Sequence, residues 1–283
     1  MTKQKPLQEK DIENVAWDDL WFQENILNQL KFLRKIIHIF LGVSGLLSIY
    51  LDKYIVDNKK YSFIELGCAG SSYLPYLAKK YDNLHLFGID KSKMGCKLAL
   101  IGFDKDIQKF NIVHGDIFKS PLKTEKFDIV FSLGLLEHFD NPSLILKKHV
   151  ELLKPNGLLI CVVPNFYGIQ GKFYDMDFWY PDDMPEECRK DHVWGMKQIS
   201  LKDLKLWFTD YGLKDILVKP TGGLYPFMML ESYRSKNVPL SFKILYFIYR
   251  YVLFLPSVAI NIPLFFRLNS KHLSPFFIAV GKK

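Results

Sequence analysis

Short apolar runs recur through the middle of the chain, separated by stretches in which apolar positions fall three or four residues apart. The runs Ser62–Leu66, Leu84–Asp90, Asn111–His114, Phe127–Leu133, Leu158–Val163 and Leu213–Val218 predict strands. Between them, Ser72–Lys80, Ser92–Leu100, Pro142–Leu153 and Leu201–Tyr211 predict helices. This alternation is the rhythm of an α/β domain. Asp128–Phe131 and Leu158–Val163 are apolar along most of their length, as a parallel sheet covered on both faces requires. The Lys-Pro-Asn-Gly turn at Lys154–Gly157 predicts the break between a helix and the next strand.

The flanks read differently. Leu20, Ile26, Leu27, Leu30, Leu33 and Ile37 recur at helical spacing, and Ile36–Leu51 is a continuous apolar run of sixteen residues. A membrane span needs about 20, and this run also holds His38 and two glycines. It predicts a buried helix within a helical extension covering residues 1–60, ahead of a main domain at 61–283. Near the other end, Pro239–Leu268 is an apolar insert and Ser274–Gly281 reads as a last strand. Pro256 and Pro263 split Ile244–Phe266 into pieces too short to cross a bilayer. If the last strand rejoins the sheet, both ends of the insert lie on one side of any membrane. An in-plane helical pair or a cap over the active site remains.

Charge sharpens this division. The net charge is +8, yet from Ser232 onward there are eight basic residues and no acid, so Met1–Glu231 is neutral. The excess sits among Phe, Tyr, Ile and Leu, which fits a membrane interface or an anionic lipid better than a nucleic acid. With 49% apolar residues the chain can build a core, which excludes disorder. Its polar N-terminus has no secretory apolar core, so a cytoplasmic location, with contact at the inner face of the membrane, is expected. Cys68, Cys96, Cys161 and Cys188 are too widely spaced for a CxxC pair, and reduced, mostly buried thiols are expected. No metal-ligand spacing occurs, so no metal is assigned.

The densest local signal is Phe63-Ile-Glu-Leu-Gly-Cys-Ala-Gly-Ser-Ser72, a strand running through small residues into a helix. Small residues let the backbone approach a ligand, and a helix N-terminus offers it free N–H groups. A G-x-G-x-x-G dinucleotide fingerprint would need glycine at Gly67, Ala69 and Ser72, and only the first is present. Glu65 would repel a pyrophosphate and suits an ammonium or sulfonium cation instead. Asp90 ends the second strand, where a carboxylate can accept both hydroxyls of a ribose, the reading favoured over a cap on the next helix because open α/β sheets bind ligands beyond the carboxyl ends of their strands. Asp116 could accept from an exocyclic amine while Ile117 packs on its ring.

Taken in order, Glu65-Leu-Gly-Cys-Ala-Gly70, Asp90, Gly115-Asp116, Phe127–His138 and Leu153-Lys-Pro-Asn-Gly157 resemble the class I, Rossmann-like S-adenosylmethionine-dependent methyltransferases, in the ubiquinone-biosynthesis-type branch. The likeness covers Ser62–Asn165 and continues more loosely to the last strand. It implies a three-layer sandwich around a seven-stranded, mostly parallel sheet with an antiparallel last strand. It also implies S-adenosyl-L-methionine as cofactor, with Glu65 and Gly67 near its methionine part, in one loop with Cys68 and Ala69. Asp90, with Lys91 beside it, would hold the ribose. Asp116 and Ile117 would meet the adenine, and Ser132, Leu133 and Gly134 would line the floor. Ala69 and Ser71 depart from the family's second and third glycines and narrow the loop.

For a hydroxyl acceptor the candidate general bases are His138 and His192. The stretch Phe166–Trp194 interleaves Tyr167, Phe173, Tyr174, Phe178, Trp179, Tyr180 and Trp194 with Asp175, Asp177, Asp182 and Asp183. That mixture suits a sugar ring or a cationic amine. The expected reaction moves a methyl group to an O or N atom of a small or lipid-linked acceptor: a surface-glycan precursor, a quinone or a lipid head group. The alternative is a catalytically inactive module of the same fold, docked on a membrane or a partner protein. A nicotinamide-dependent dehydrogenase is disfavoured by Glu65 and Ser72.

Overall fold

The computed structural model describes residues 43–71, 73–101, 110–120, 122–168, 192–193, 196–222, 269–272 and 274–283. The periodic segment Leu20–Ile37, most of Phe166–Trp194 and the insert Pro239–Leu268 lie outside the described residues. In chain order the elements are α1 (Val43–Tyr54), β1 (Tyr61–Leu66), α2 (Tyr73–Lys80), β2 (Leu84–Asp90), α3 (Lys93–Ile101), β3 (Phe110–His114) and β4 (Phe127–Leu133). A 3-10 turn (Leu136–His138), α4 (Pro142–Leu152), β5 (Leu153–Pro164), β6 (His192–Val193) and β7 (Met196–Lys197) follow. The chain closes with α5 (Leu201–Asp210), β8 (Lys214–Thr221) and β9 (Phe276–Lys282).

Seven strands form one sheet in the order β3-β2-β1-β4-β5-β9-β8. The pairs β1–β2, β1–β4, β2–β3 and β4–β5 are parallel, while β9 runs antiparallel to both β5 and β8. The sheet reverses its strand order at β1 and β4, so their C-terminal ends open the crevice where ligands of such sheets bind. Each face is covered. Leu47 and Leu51 of α1 and Leu74 and Leu77 of α2 pack with Phe63, Leu86, Phe131 and Ile160. Ile145 and Leu146 of α4 and Leu204 and Phe208 of α5 pack with Ile64, Val130, Leu159 and Phe277 on the other side. The expected three-layer architecture is present, including the antiparallel last strand.

Local chemistry sets the boundaries. Pro142 opens α4 at a position where no N–H is needed. Ser200 and Asp203 form a capping box at the start of α5, each side chain bonding the other's backbone N–H. The apolar run Ile36–Leu51 continues beyond its predicted end, since α1 extends to Tyr54. The largest departure from expectation is at the start of β5. β5 begins at Leu153 rather than Leu158, because Leu153 already pairs with Phe127 before the register shifts. Asn156 takes up the irregularity at φ 63°, and its N–H donates to the Lys283 carbonyl at 2.9 Å. The hairpin β6–β7, where His192 pairs with Lys197, replaces the loop expected around His192.

Candidate functional site

The turn after β1 is held against β2 by backbone bonds: Gly67 N–H and Cys68 N–H both donate to the Ile89 carbonyl, at 2.9 and 3.2 Å. Gly67 sits at φ +73°, a conformation that L side chains rarely adopt, so the turn calls for glycine. Asp90, half-buried at the end of β2, receives Ala69 N–H on one oxygen (2.9 Å) and Ser92 N–H on the other (2.8 Å). These bonds fix the carboxylate at the crevice, and the ribose and helix-cap readings of Asp90 are compatible in this geometry. Lys91 beside it is exposed, and its carbonyl bonds His114 Nε2 at 2.9 Å.

Both departures from the glycine pattern are matched elsewhere in the chain. The Ala69 methyl packs on Gly95 in α3, where any side chain would collide with it. Gly70 N–H donates to the Gly95 carbonyl at 3.1 Å, closing the same contact. Ser71 donates its hydroxyl to Glu65 Oε2 at 2.5 Å, and its oxygen lies within hydrogen-bond reach of Tyr73 N–H and Leu74 N–H at the start of α2. Ser71 therefore joins the loop, the helix and the buried acid. Burial pushes the Glu65 carboxyl up to about 8, opposed by the Ser71 hydroxyl and reinforced by the Asp90 charge. Cys68 and Cys96 are both buried thiols outside any disulfide, and their mutual hydrogen bond together with burial raises the Cys68 thiol, keeping it protonated.

β4 forms the neighbouring floor. Ser132 is fully buried beside its cross-strand neighbour Cys161, whose thiol burial pushes up to about 12 against the pull of the Ser132 hydroxyl. Leu133 and Gly134 are half-buried, and Gly134 N–H donates to the Val162 carbonyl at 2.9 Å. Further out, Asp116 accepts from Phe118 N–H at 2.8 Å and lies 3.8 Å from Lys119 Nζ, while Ile117 packs against the core. Gly115 N–H donates to the Asp90 carbonyl at 2.8 Å, which ties this turn to the ribose candidate.

The two candidate bases belong to adjoining elements. His138 is exposed at the end of the 3-10 turn, and β7 of the His192 hairpin packs on that turn. Lys197 Nζ donates to the Asp140 carbonyl at 3.0 Å, pinning the hairpin there. Between these elements lies a residue that sequence reasoning passed over. Glu137 is 3% exposed, one of its carboxyl oxygens has no partner, and burial pushes it up to about 8 against the pull of its own backbone N–H. Its signal was a carboxylate inside the apolar Leu135-Leu136-Glu137 run. The Ala69–Gly95 match had a signal too, since glycine within a helix costs about 1 kcal/mol relative to alanine. Among the described residues no group of three or more His, Cys, Asp or Glu gathers as a metal site.

Residues 64–161 match the family described as a methyltransferase domain. The fold is that of the class I methyltransferases. Phosphoethanolamine N-methyltransferase 2 of Haemonchus contortus, solved with S-adenosyl-L-methionine, superposes with a TM-score of 0.56 at 15% identity, over 94% of this chain and 57% of that one. A ubiquinone biosynthesis O-methyltransferase of Maricaulis maris is 28% identical over 104 residues, or 36% of this chain and 40% of that protein. The (S)-coclaurine N-methyltransferase of Papaver somniferum is 28% identical over 117 residues, covering 41% and 32%. The matched region thus spans less than half the length of either of these two relatives. The loop between β1 and α2 fits S-adenosylmethionine on its own chemistry: a glycine turn at positive φ, a buried acid for a cation, and a strand-end carboxylate for a diol.

Proposed function

We propose that this chain is an S-adenosylmethionine-dependent methyltransferase acting on an O or N atom of a small, amphiphilic or lipid-linked acceptor. The carrying observation is the repaired loop: Ala69 seated on Gly95 and Ser71 bound to Glu65, with Asp90 held ready by two backbone N–H groups. A loop abandoned by its ligand has no need of these matching changes, which argues against the inactive reading. Bound S-adenosylmethionine would supply a methyl group on a sulfonium sulfur. Around it, Glu65 answers the positive charge, Asp90 takes the ribose hydroxyls, and Asp116 with Ile117 meets the adenine. Ser132, Leu133 and Gly134 exclude water from the floor. His138 or His192 takes the proton that a hydroxyl acceptor gives up.

The acceptor class follows from where the insert is rooted. Thr221 at the end of β8 pairs with Phe276 at the start of β9, next to Pro164 at the end of β5. Gly222 and Asn269, the described residues on either side of 223–268, therefore stand at the same sheet edge as Glu65 and Asp90. Asn165, buried there, donates to the Lys271 and Ser274 carbonyls at 2.9 and 2.8 Å. An apolar segment that lacks acids from Ser232 onward and is rooted at the proposed cofactor edge supports an acceptor presented from a membrane. The proposed contact is peripheral, since Pro256 and Pro263 split Ile244–Phe266 into pieces too short to span a bilayer.

Thermal unfolding with S-adenosylhomocysteine, with NAD as control, tests the cofactor. Ligand at about 100 times its dissociation constant should add roughly 2.7 kcal/mol, and stabilisation by NAD alone would refute the assignment. Flotation with phosphatidylglycerol vesicles tests the acceptor side. Deleting 239–268 should abolish flotation, and unchanged flotation rules out docking through that segment.

A further inference from the structure

Ser71 bridges the buried acid and the start of α2. Its hydroxyl donates to Glu65 Oε2 at 2.5 Å and accepts from Tyr73 N–H and Leu74 N–H at 3.3 and 3.4 Å. A hydroxyl carries one proton and two lone pairs. Both lone pairs are thus held by α2, and the proton is directed at the carboxyl. Oε2 answers such a donor as an acceptor, so in the acid form of Glu65 the carboxyl proton sits on Oε1. Glu65 is 2% exposed and belongs to none of the described ion pairs, and burial pushes it up to about 8 against the pull of the Ser71 hydroxyl. Asp90 from β2 and the Cys68 thiol from the loop face it electrostatically, and both disfavour a second negative charge. Its register neighbours on β2 and β4 are Gly88 and Phe131, which carry no charge.

We propose that Ser71 is a positioning residue for the cofactor: its hydroxyl, oriented by α2, keeps Glu65 Oε2 as an acceptor and leaves Oε1 to exchange its proton for the α-ammonium of the ligand's methionine part. The inference rests on the proposed function and deepens it, since Ser71 acts on the ligand through Glu65. S-adenosylmethionine and S-adenosylhomocysteine both carry that ammonium, so Ser71 serves the two alike. One proton passes from Oε1 to solvent as either ligand binds. A hydrogen bond to the charged form of a carboxyl favours that form, so the Ser71 hydroxyl lowers the pH at which the exchange becomes easy.

Titration calorimetry of the full chain across pH, with S-adenosylhomocysteine and with 5′-methylthioadenosine, tests this, because the second ligand keeps the adenosine and thioether but lacks the ammonium. In the wild type, affinity for S-adenosylhomocysteine should rise about tenfold per pH unit and level off near pH 8, where Glu65 of the empty loop titrates, while 5′-methylthioadenosine stays level. Ser71→Ala should move the levelling-off upward by about one pH unit and weaken S-adenosylhomocysteine about tenfold at pH 7, with 5′-methylthioadenosine changed less than twofold. Ser71→Gly also lacks the hydroxyl but caps a helix better than alanine, and it should lose as much. Wild-type affinity in Ser71→Gly would assign Ser71 to capping alone and overturn the inference. An equal loss for both ligands, or a Ser71→Ala loss that persists in the Glu65→Gln background, would overturn it too, leaving the methyltransferase reading in place. Binding of neither ligand by the wild type would overturn both. Ser71→Gly keeps the question decidable if Ser71→Ala does not fold.

Discussion

The two edges of the sheet treat buried carboxyls in opposite ways. At the N-terminal edge Asp128 accepts Ser62 N–H at 2.8 Å, the Ser62 hydroxyl at 2.7 Å and Lys154 Nζ at 2.7 Å. Burial alone would raise it, but Lys154 and Ser62 more than offset this and hold it below the usual carboxylate range. The Tyr54 hydroxyl adds bonds to the Asp128 and Asn156 carbonyls at 3.3 and 2.9 Å, fastening α1 to the same corner. At the C-terminal edge Glu65 and Glu137 are buried without a cation and are raised instead. One edge spends its polar groups on each other; the other keeps them for something that arrives. An acid left uncompensated in a well-paired domain is therefore informative about function, whereas a saturated one reports on stability.

This contrast can be broken from either side. Asp90→Ala should have the largest effect, lowering S-adenosylhomocysteine affinity by about 100-fold through loss of two charge-assisted bonds, as read by calorimetry. Gly95→Ala should nearly match it by driving Ala69 off its seat. The double variant with Ala69→Gly should recover most of the binding, and failure to recover would show that the two residues do not act through their contact. At the opposite edge Asp128→Asn should cost about 2–3 kcal/mol in urea unfolding yet leave ligand affinity within twofold. A large loss of affinity there would erase the distinction between the edges.

Two smaller effects depend on pH. Glu137 has a folded-state pKa raised from 4.5 to about 8. Its contribution is full below pH 4.5 and is lost as pH rises through 8, so Glu137→Gln should unfold later than wild type at pH 9, by on the order of a few kcal/mol. His149 is the reverse case. Its ring is fully buried, with Nδ1 bonded to the Ile145 carbonyl at 2.7 Å and Nε2 unpartnered, and burial pushes it down to about 4. Stability from this group should fall as pH drops from 6.5 towards 4. His149→Leu should flatten that acid limb by about 2 kcal/mol, measured as the difference in unfolding free energy between pH 7 and pH 5.

Much of the framework could be read without coordinates because parallel strands buried on both faces write themselves as apolar runs. β1, β2 and β4 fall within one residue of their predicted spans. The start of β5 could not be read in this way. Lys154-Pro-Asn-Gly157 carries turn chemistry, and only the pairing of Leu153 with Phe127 makes the segment part of the strand. At the site, Glu65, Gly67 and Asp90 stood out because their roles are local to one strand end. Ala69 and Ser71 looked like losses because their compensations lie elsewhere: Gly95 is on another helix, and the Glu65–Ser71 bond spans a turn. The alternation of the chain predicts elements, but which small residue faces which is decided by packing.

The anchoring of the segment beyond β8 has an evolutionary consequence. Thr221 and Phe276 are register partners, and Asn165 locks the returning backbone beside them, so the chain leaves and re-enters the sheet through one fixed gate. Doubling the length of what lies between such fixed points adds only about 0.6 kcal/mol of closure entropy. The gate can therefore admit exchangeable cassettes of very different length and composition while the loop between β1 and α2 is inherited intact.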